Sequence, residues 1–183
     1  MVNGIMIATT SLDDDDILKS VLVSSSLAQS RIASHKEETA AIEWNLPGFG
    51  GKARVGTVFG DLPIEALRLR DEIRTLAGSV VRVKWIDKVH LDASFISRHP
   101  SAIPVSIAAN AFGVGKPLRE MIVSPRQEVC SEAHVATRFM AADDLRPRYD
   151  VHKVQTASVT YYRFHCDEPV IVRVEGVWVK IQP

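Results

Sequence analysis

Phe49-Gly50-Gly51-Lys52-Ala53-Arg54-Val55-Gly56-Thr57-Val58-Phe59-Gly60-Asp61-Leu62-Pro63-Ile64-Glu65-Ala66-Leu67-Arg68-Leu69-Arg70-Asp71-Glu72-Ile73 decides the fold class. From Lys52 onward the chain reads as short strands, and Gly60-Asp61 is a turn signal between two of them. Just upstream, Asn45-Leu46-Pro47-Gly48 completes a breaker cluster with Gly50 and Gly51, since proline disfavours helix at the residue before it and the glycines loosen the chain after it. A domain boundary is expected there, with residues 1–46 forming one segment and 47–183 a β domain.

Downstream the strand pattern continues. Val81, Val83 and Trp85 alternate with Arg82 and Lys84, the period-two signature of a strand with one wet face. Val159 to Phe164 is rich in β-branched and aromatic residues. Val170, Val172 and Val174 share one face; after Gly176 the apolar positions become Val177, Val179 and Ile181, so a bulge or tight turn is expected at that glycine. Further breakers at Ala77-Gly78, Gly113 to Pro117 and Arg146-Pro147 cut the region into short strands, as in an all-β fold. Helix is minor, one or two turns over Ala93 to His99.

Upstream the pattern is helical. Ser11, Leu12 and Asp13 to Asp16 form a helix start, with a capping hydroxyl and negative charge in the first turn. Leu18, Val21, Leu22, Ser25 and Ala28 then recur at helical spacing, predicting a helix from Leu12 to Ser34. The acidic run reads as a solvated first turn rather than a metal site.

Composition excludes several classes. Of 183 residues 46% are hydrophobic, which is enough for a well-stocked core, and 22 basic residues balance 22 acidic ones. Net charge zero removes the electrostatic drive for nucleic acid or an anionic membrane surface. No apolar run approaches the roughly 20 residues of a membrane helix, and Met1–Thr10 has no signal-peptide character, so a cytoplasmic protein is expected. The two cysteines, Cys130 and Cys166, make no disulfide framework and lack metal-ligand spacing, so neither a metal nor a cofactor is expected.

Taken as an ordered set, these motifs resemble the Hint (Hedgehog/intein) self-processing domain, closest to its bacterial Hint_2 branch. That family opens with Cys-Phe, runs into an Arg-Ile-x-Thr strand, and continues with a Gly turn, Pro-Val-Glu-x-Leu and Gly-Asp-x-Val. Here those positions read Gly48-Phe49, Arg54-Val55-Gly56-Thr57, Gly60, Pro63-Ile64-Glu65-Ala66-Leu67 and Arg70-Asp71-Glu72-Ile73. Val81 to Ile86, His99-Pro100 to Ile107, Ala111-Phe112-Gly113, Met121 to Pro125, Val159 to Tyr162 and Glu175-Gly176 follow in the family's order. The resemblance covers Pro47 to Ile181 and implies a Hint-like fold of many short strands.

It also implies a chemistry. In the family the first cysteine's thiol attacks the preceding carbonyl in an N-to-S acyl shift, and the histidine of a Thr/Ser-Pro-x-His motif protonates the departing nitrogen. Carried over position by position, the nucleophile falls on Gly48, which has no side chain. Ser-Pro-x-His reads Ser124-Pro125-Arg126-Gln127, and glutamine cannot donate a catalytic proton near neutrality. A further family histidine falls on Pro169.

The other polar residues have ordinary readings. Cys130 and Cys166 read first as small buried hydrophobes, and secondarily as relocated nucleophiles with His134 or His165 as the local base. His35, His90, His99 and His152 are expected in loops or helix ends. Tyr161-Tyr162 should place one ring in the core and one at its rim, and Glu65 and Asp71 should fix turns through backbone amides. The expectation is a catalytically degenerate Hint-like domain that acts in binding or assembly, with a protein partner or a homodimer as the arrangement. The alternative is an autoprocessing domain that uses a relocated cysteine, or in which a cysteine at position 48 has been replaced by glycine.

Overall fold

Short β-branched runs separated by glycine and proline leave little length for helix, and the chain builds its core from strands that cross between two sheets. The computed structural model describes residues 43–131, 138–146 and 149–183. The helix expected over Leu12 to Ser34 lies outside the described residues. The chain divides at Ala41, and the unit Ala41–Pro183 contains all that is described.

One sheet has six strands in the order β11 (Val151–Lys153), β7 (Val105–Ile107), β8 (Met121–Val123), β1 (Phe49–Gly50), β12 (Val159–His165) and β6 (Trp85–Leu91). The other has eight: β10 (Phe139–Ala141), β9 (Glu128–Cys130), β14 (Val177–Ile181), β13 (Val170–Val174), β2 (Arg54–Thr57), β4 (Glu72–Arg74) and β5 (Val80–Arg82), with β3 (Gly60–Pro63) on β2. The described residues also form two short α-helices, α1 (Ala93–Arg98), whose start is capped by the Asp92 carboxylate accepting from the Phe95 N–H at 2.7 Å, and α2 (Ala142–Leu145), and two 3-10 turns, Ile64–Ala66 and Pro100–Ala102. The strands are short because the apolar runs are short.

The C-terminal hairpin explains the register shift at Gly176. Val174 lies opposite Val177 across a two-residue turn, and Glu175 (φ 48°) and Gly176 (φ 82°) both take left-handed backbone. Directly opposed residues share a face, so Val172, Val174, Val177 and Val179 all enter the core, and no bulge is needed. At Gly176 a Cβ would stand 2.9 Å from the Gly115 carbonyl oxygen, which excludes a side chain for space as well as conformation.

The strand expected across Val81 to Trp85 is two strands in different sheets. Val83 N–H still bonds the Asp71 carbonyl at 3.0 Å, whereas Lys84 N–H bonds the His165 carbonyl at 3.0 Å. The alternation fails at this crossing: Val83 is buried and Trp85 is 37% exposed. β5 and β6 thus carry the chain from one sheet to the other.

The main core joins Phe49, Val55, Ile73, Val123, Phe164, Val172 and Val179, all buried. Each such side chain contributes about 1.5–3 kcal/mol relative to an exposed one. A smaller cluster gathers Trp44, Leu91, Ile96, Ala102 and Tyr161. Trp44 lies upstream of the expected boundary at Pro47, so packing on the β domain already includes Glu43 to Leu46.

Candidate functional site

β1 is only two residues long, yet it lies between β8 and β12 at the centre of its sheet, with Phe49 opposite both Val123 and Tyr162. The residue before it, Gly48, is therefore buried against both neighbours. Its carbonyl accepts the Ser124 N–H at 2.8 Å, tying the start of β1 to the end of β8. A Cβ at position 48 would meet Tyr161 Cβ at 3.0 Å and Arg163 Cγ and the Tyr162 carbonyl oxygen at 3.4 Å each. Its backbone has no positive φ, so crowding rather than conformation is what a side chain would meet there.

Gly48 opens on a small cleft of about 290 Å³ of empty space, part of it open to solvent, lined also by Gln127, Trp85, Arg163, Lys180 and Gln182. Gln127 is 1% exposed, and its amide Nε2 donates to the carbonyls of Lys180 at 3.0 Å and Glu128 at 3.2 Å. The bond to Lys180 docks the Gln127 loop on β14. Arg163 lies over the Trp85 ring at 5.3 Å and within 3.8 Å of the Asp87 carboxylate; Lys180 is 3.4 Å from Glu128. The cations on the rim are thus each faced by a carboxylate, and the cleft presents no concentrated positive charge.

Ser124 is fully buried, and its hydroxyl accepts from the Trp44 indole N–H at 3.0 Å and donates to the Leu46 carbonyl at 2.6 Å. Gly48, Ser124 and Gln127 are accordingly brought together around the start of β1. Pro169 is not: it is exposed in the turn between β12 and β13 and lines no part of the cleft.

Neither cysteine lines the cleft. Cys130 is buried on β9 opposite Phe139 of β10. Cys166 is buried just beyond β12 beside a separate groove formed with Glu72, Arg82 and Lys84. Burial, and then the neighbouring Asp167 carboxylate, push its thiol up to about 11, so the nucleophilic thiolate is scarce at neutral pH. His165 stacks on Trp85 at 5.0 Å and its Nδ1 is 2.9 Å from the Cys166 carbonyl oxygen; His134 lies outside the described residues.

The remaining expectations divide. Tyr161 is fully buried with its hydroxyl donating to the Ala102 carbonyl at 3.0 Å, and Tyr162 is half-buried, as expected for core and rim. Asp71 fixes its turn by accepting the Arg68 N–H at 2.8 Å. Glu65 acts instead through its backbone N–H, which donates to the Gly51 carbonyl at 3.0 Å. His90 and His152 stand exposed on strands β6 and β11 rather than in loops; His99 closes α1. No group of three or more metal-ligating side chains occurs among the described residues. The residues that the sequence did not single out are Trp44 and Arg163. Trp44 was hidden by its place upstream of the breaker cluster, and Arg163 by reading as an ordinary solvent-facing strand residue.

The Hint domain model of the Hint_2 type matches residues 47–180. The chain belongs to the Hint domain family. Among solved structures this Hint domain is similar to a DnaB intein from Synechocystis sp. PCC 6803, with a TM-score of 0.51, 8% identity, and coverage of 75% of this chain and 100% of that one. A mutant of the Ssp DnaB mini-intein is similar at a TM-score of 0.50 and 8% identity, over 75% of this chain and 100% of the other. At such identity the likeness is one of fold. A search of curated proteins gives no match. The Hint-like fold of many short antiparallel strands expected from the sequence is the fold observed.

Proposed function

We propose that this Hint domain does not process its own chain and acts as a binding or assembly module. The observation that carries the reading is Gly48: where the family places its thiol there is no side chain, and a Cβ there would stand in tight contact, 3.0 Å from Tyr161 Cβ. Gln127 supports it, because its amide is committed to two backbone carbonyls and has no proton to give at neutral pH. Cys166 offers no substitute nucleophile, being buried with a raised pKa and lining a different groove. What remains of the ancestral site is its shape: a central strand start, a buried serine and a small cleft.

Mass spectrometry tests this directly. The 183-residue chain, incubated with dithiothreitol or hydroxylamine, is expected to keep its intact mass of 20.2 kDa. A fragment beginning at Gly48 would overturn the reading and establish an autoprocessing domain with a relocated nucleophile.

A further inference from the structure

The four residues Glu43 to Leu46 lie outside the strands and are gripped by the domain through side chains of the six-stranded sheet and of the loops and helix around it. The Trp44 indole is 7% exposed and packs with Leu91, Ile96, Ala102 and Tyr161, its ring 5.9 Å from that of Tyr161 and edge-on to Phe95 at 6.0 Å. Its indole N–H donates to Ser124, its backbone N–H donates to Ser101 Oγ at 3.1 Å, and its carbonyl accepts from Arg126 Nε at 3.4 Å. The Arg126 guanidinium also pairs with the Glu43 carboxylate, and Ser124 Oγ donates to the Leu46 carbonyl. These are the parts of a peptide-recognition site: an aromatic anchor in a desolvated pocket, hydrogen bonds to the peptide main chain on either side of it, and a charge pair at the rim. The receptor side chains come from elements far along the chain, around α1, the end of β8 and β12, and they converge on one short linear segment.

We propose that Ser101, Ser124, Arg126, Phe95 and Tyr161 form a docking site for a short peptide of the pattern acid-Trp-Asn-Leu, occupied here in cis by Glu43–Leu46 of the same chain. Ser124 is the hinge of the site, since one hydroxyl serves both the anchor and the following main chain. The inference goes beyond the proposed function and does not depend on it: side chains hold Trp44 and Leu46 without the covalent bond at Gly48, so the segment would stay docked even in a chain cut there.

The test vacates the pocket and refills it. In the full chain, Trp44→Ala removes the anchor, and the probe is the acetylated synthetic peptide of residues 41–47, followed by titration calorimetry. The Trp44→Ala chain is expected to bind the peptide one to one, at least tenfold more tightly than the wild-type chain, whose pocket is filled. Adding Ser124→Ala should weaken binding at least tenfold, and a peptide with alanine in place of tryptophan should not bind. Equal binding by both chains, or no binding by a Trp44→Ala chain that retains a cooperative thermal transition, would overturn the proposal. Should Trp44→Ala fail to fold, hydrogen exchange on Ser124→Ala decides. Exchange at the Trp44 amide is expected to quicken at least tenfold while the β12 amides stay unchanged. Trp44 exchange that keeps pace with β12 would make the segment ordinary core and sink the idea. A wild-type chain that dimerises with rising concentration in the ultracentrifuge, with the dimer abolished by Trp44→Ala, would place the segment in a second copy and overturn the assignment in cis.

Discussion

Gly48, buried, and Gly176, half-buried, both stand next to the ends of strands, and a side chain at each would meet a different obstacle. Gly176 closes the β13–β14 hairpin with a φ of 82°, where any side chain is strained before contacts are considered. Gly48 has an ordinary backbone, and a side chain there meets only tight contacts, with Tyr161 Cβ at 3.0 Å and with Arg163 and the Tyr162 carbonyl at 3.4 Å. The first is a requirement of the local chain and would hold in any hairpin of that type. The second is a preference set by one tertiary arrangement, and it depends on which residues stand across from it.

The comparison can be broken most sharply at the hairpin. Gly176→Val should cost about 3 kcal/mol, combining about 1–2 kcal/mol of left-handed strain with overpacking against the Gly115 carbonyl. Denaturant melts check this, and a loss below about 1 kcal/mol would remove the distinction between the two glycines. Next in size, Gln127→Leu should cost about 2 kcal/mol, because it leaves the Lys180 and Glu128 carbonyls without their amide donor. A neutral result in the same melts would mean that the amide is not structural and that the cleft is freer than its geometry implies.

Gly48→Cys sharpens the comparison from the other side. Its steric cost should be smaller, about 1 kcal/mol, since Tyr161 must yield by only tenths of an ångström. Chemically it should leave the chain intact in dithiothreitol by mass spectrometry, because Gln127 supplies no proton to the leaving nitrogen. Cleavage by the single variant would show that the site needs only its nucleophile.

The smallest effect lies at Cys166. Its neutral thiol is favoured in the folded state, with the pKa raised from 9.0 to about 11. Its contribution is therefore complete below pH 9.0 and is lost as pH rises toward about 11, because the unfolded chain ionises first. Melts from pH 8 to 11 should show a stability that falls on the alkaline side, and the fall attributable to this thiol should vanish in Cys166→Ala. Iodoacetamide should leave it unmodified at pH 8 in the folded protein.

Much of the fold could be read along the chain. The alternation of Val170 to Ile181 and the Glu175-Gly176 pair specify a hairpin locally, and the ordered motifs from Phe49 to Ile73 carry the family. The site was legible in part. Gly48, Ser124 and Gln127 could be placed together by motif, whereas Pro169, matched to a further family histidine, lies in an exposed turn away from the cleft, since a position matched in sequence order says nothing of where a turn points. The crossing at Val83-Lys84 was invisible because the apolar alternation of residue types runs on through Trp85 and does not record which strand receives each N–H, and that partner changes there from the β4 side to β12.

The sequence by itself determined that position 48 has no nucleophile and position 127 no general acid, because those are facts of covalent chemistry carried by single residues. It also determined the hairpin turn, whose φ values are set by neighbours in the chain. Only the tertiary structure decided that Tyr161 packs closely beside Gly48, that Gln127 donates its amide to β14, and that Ser124 holds Trp44 and Leu46. Those contacts join residues dozens of positions apart, and their distances follow from how the two sheets close on each other.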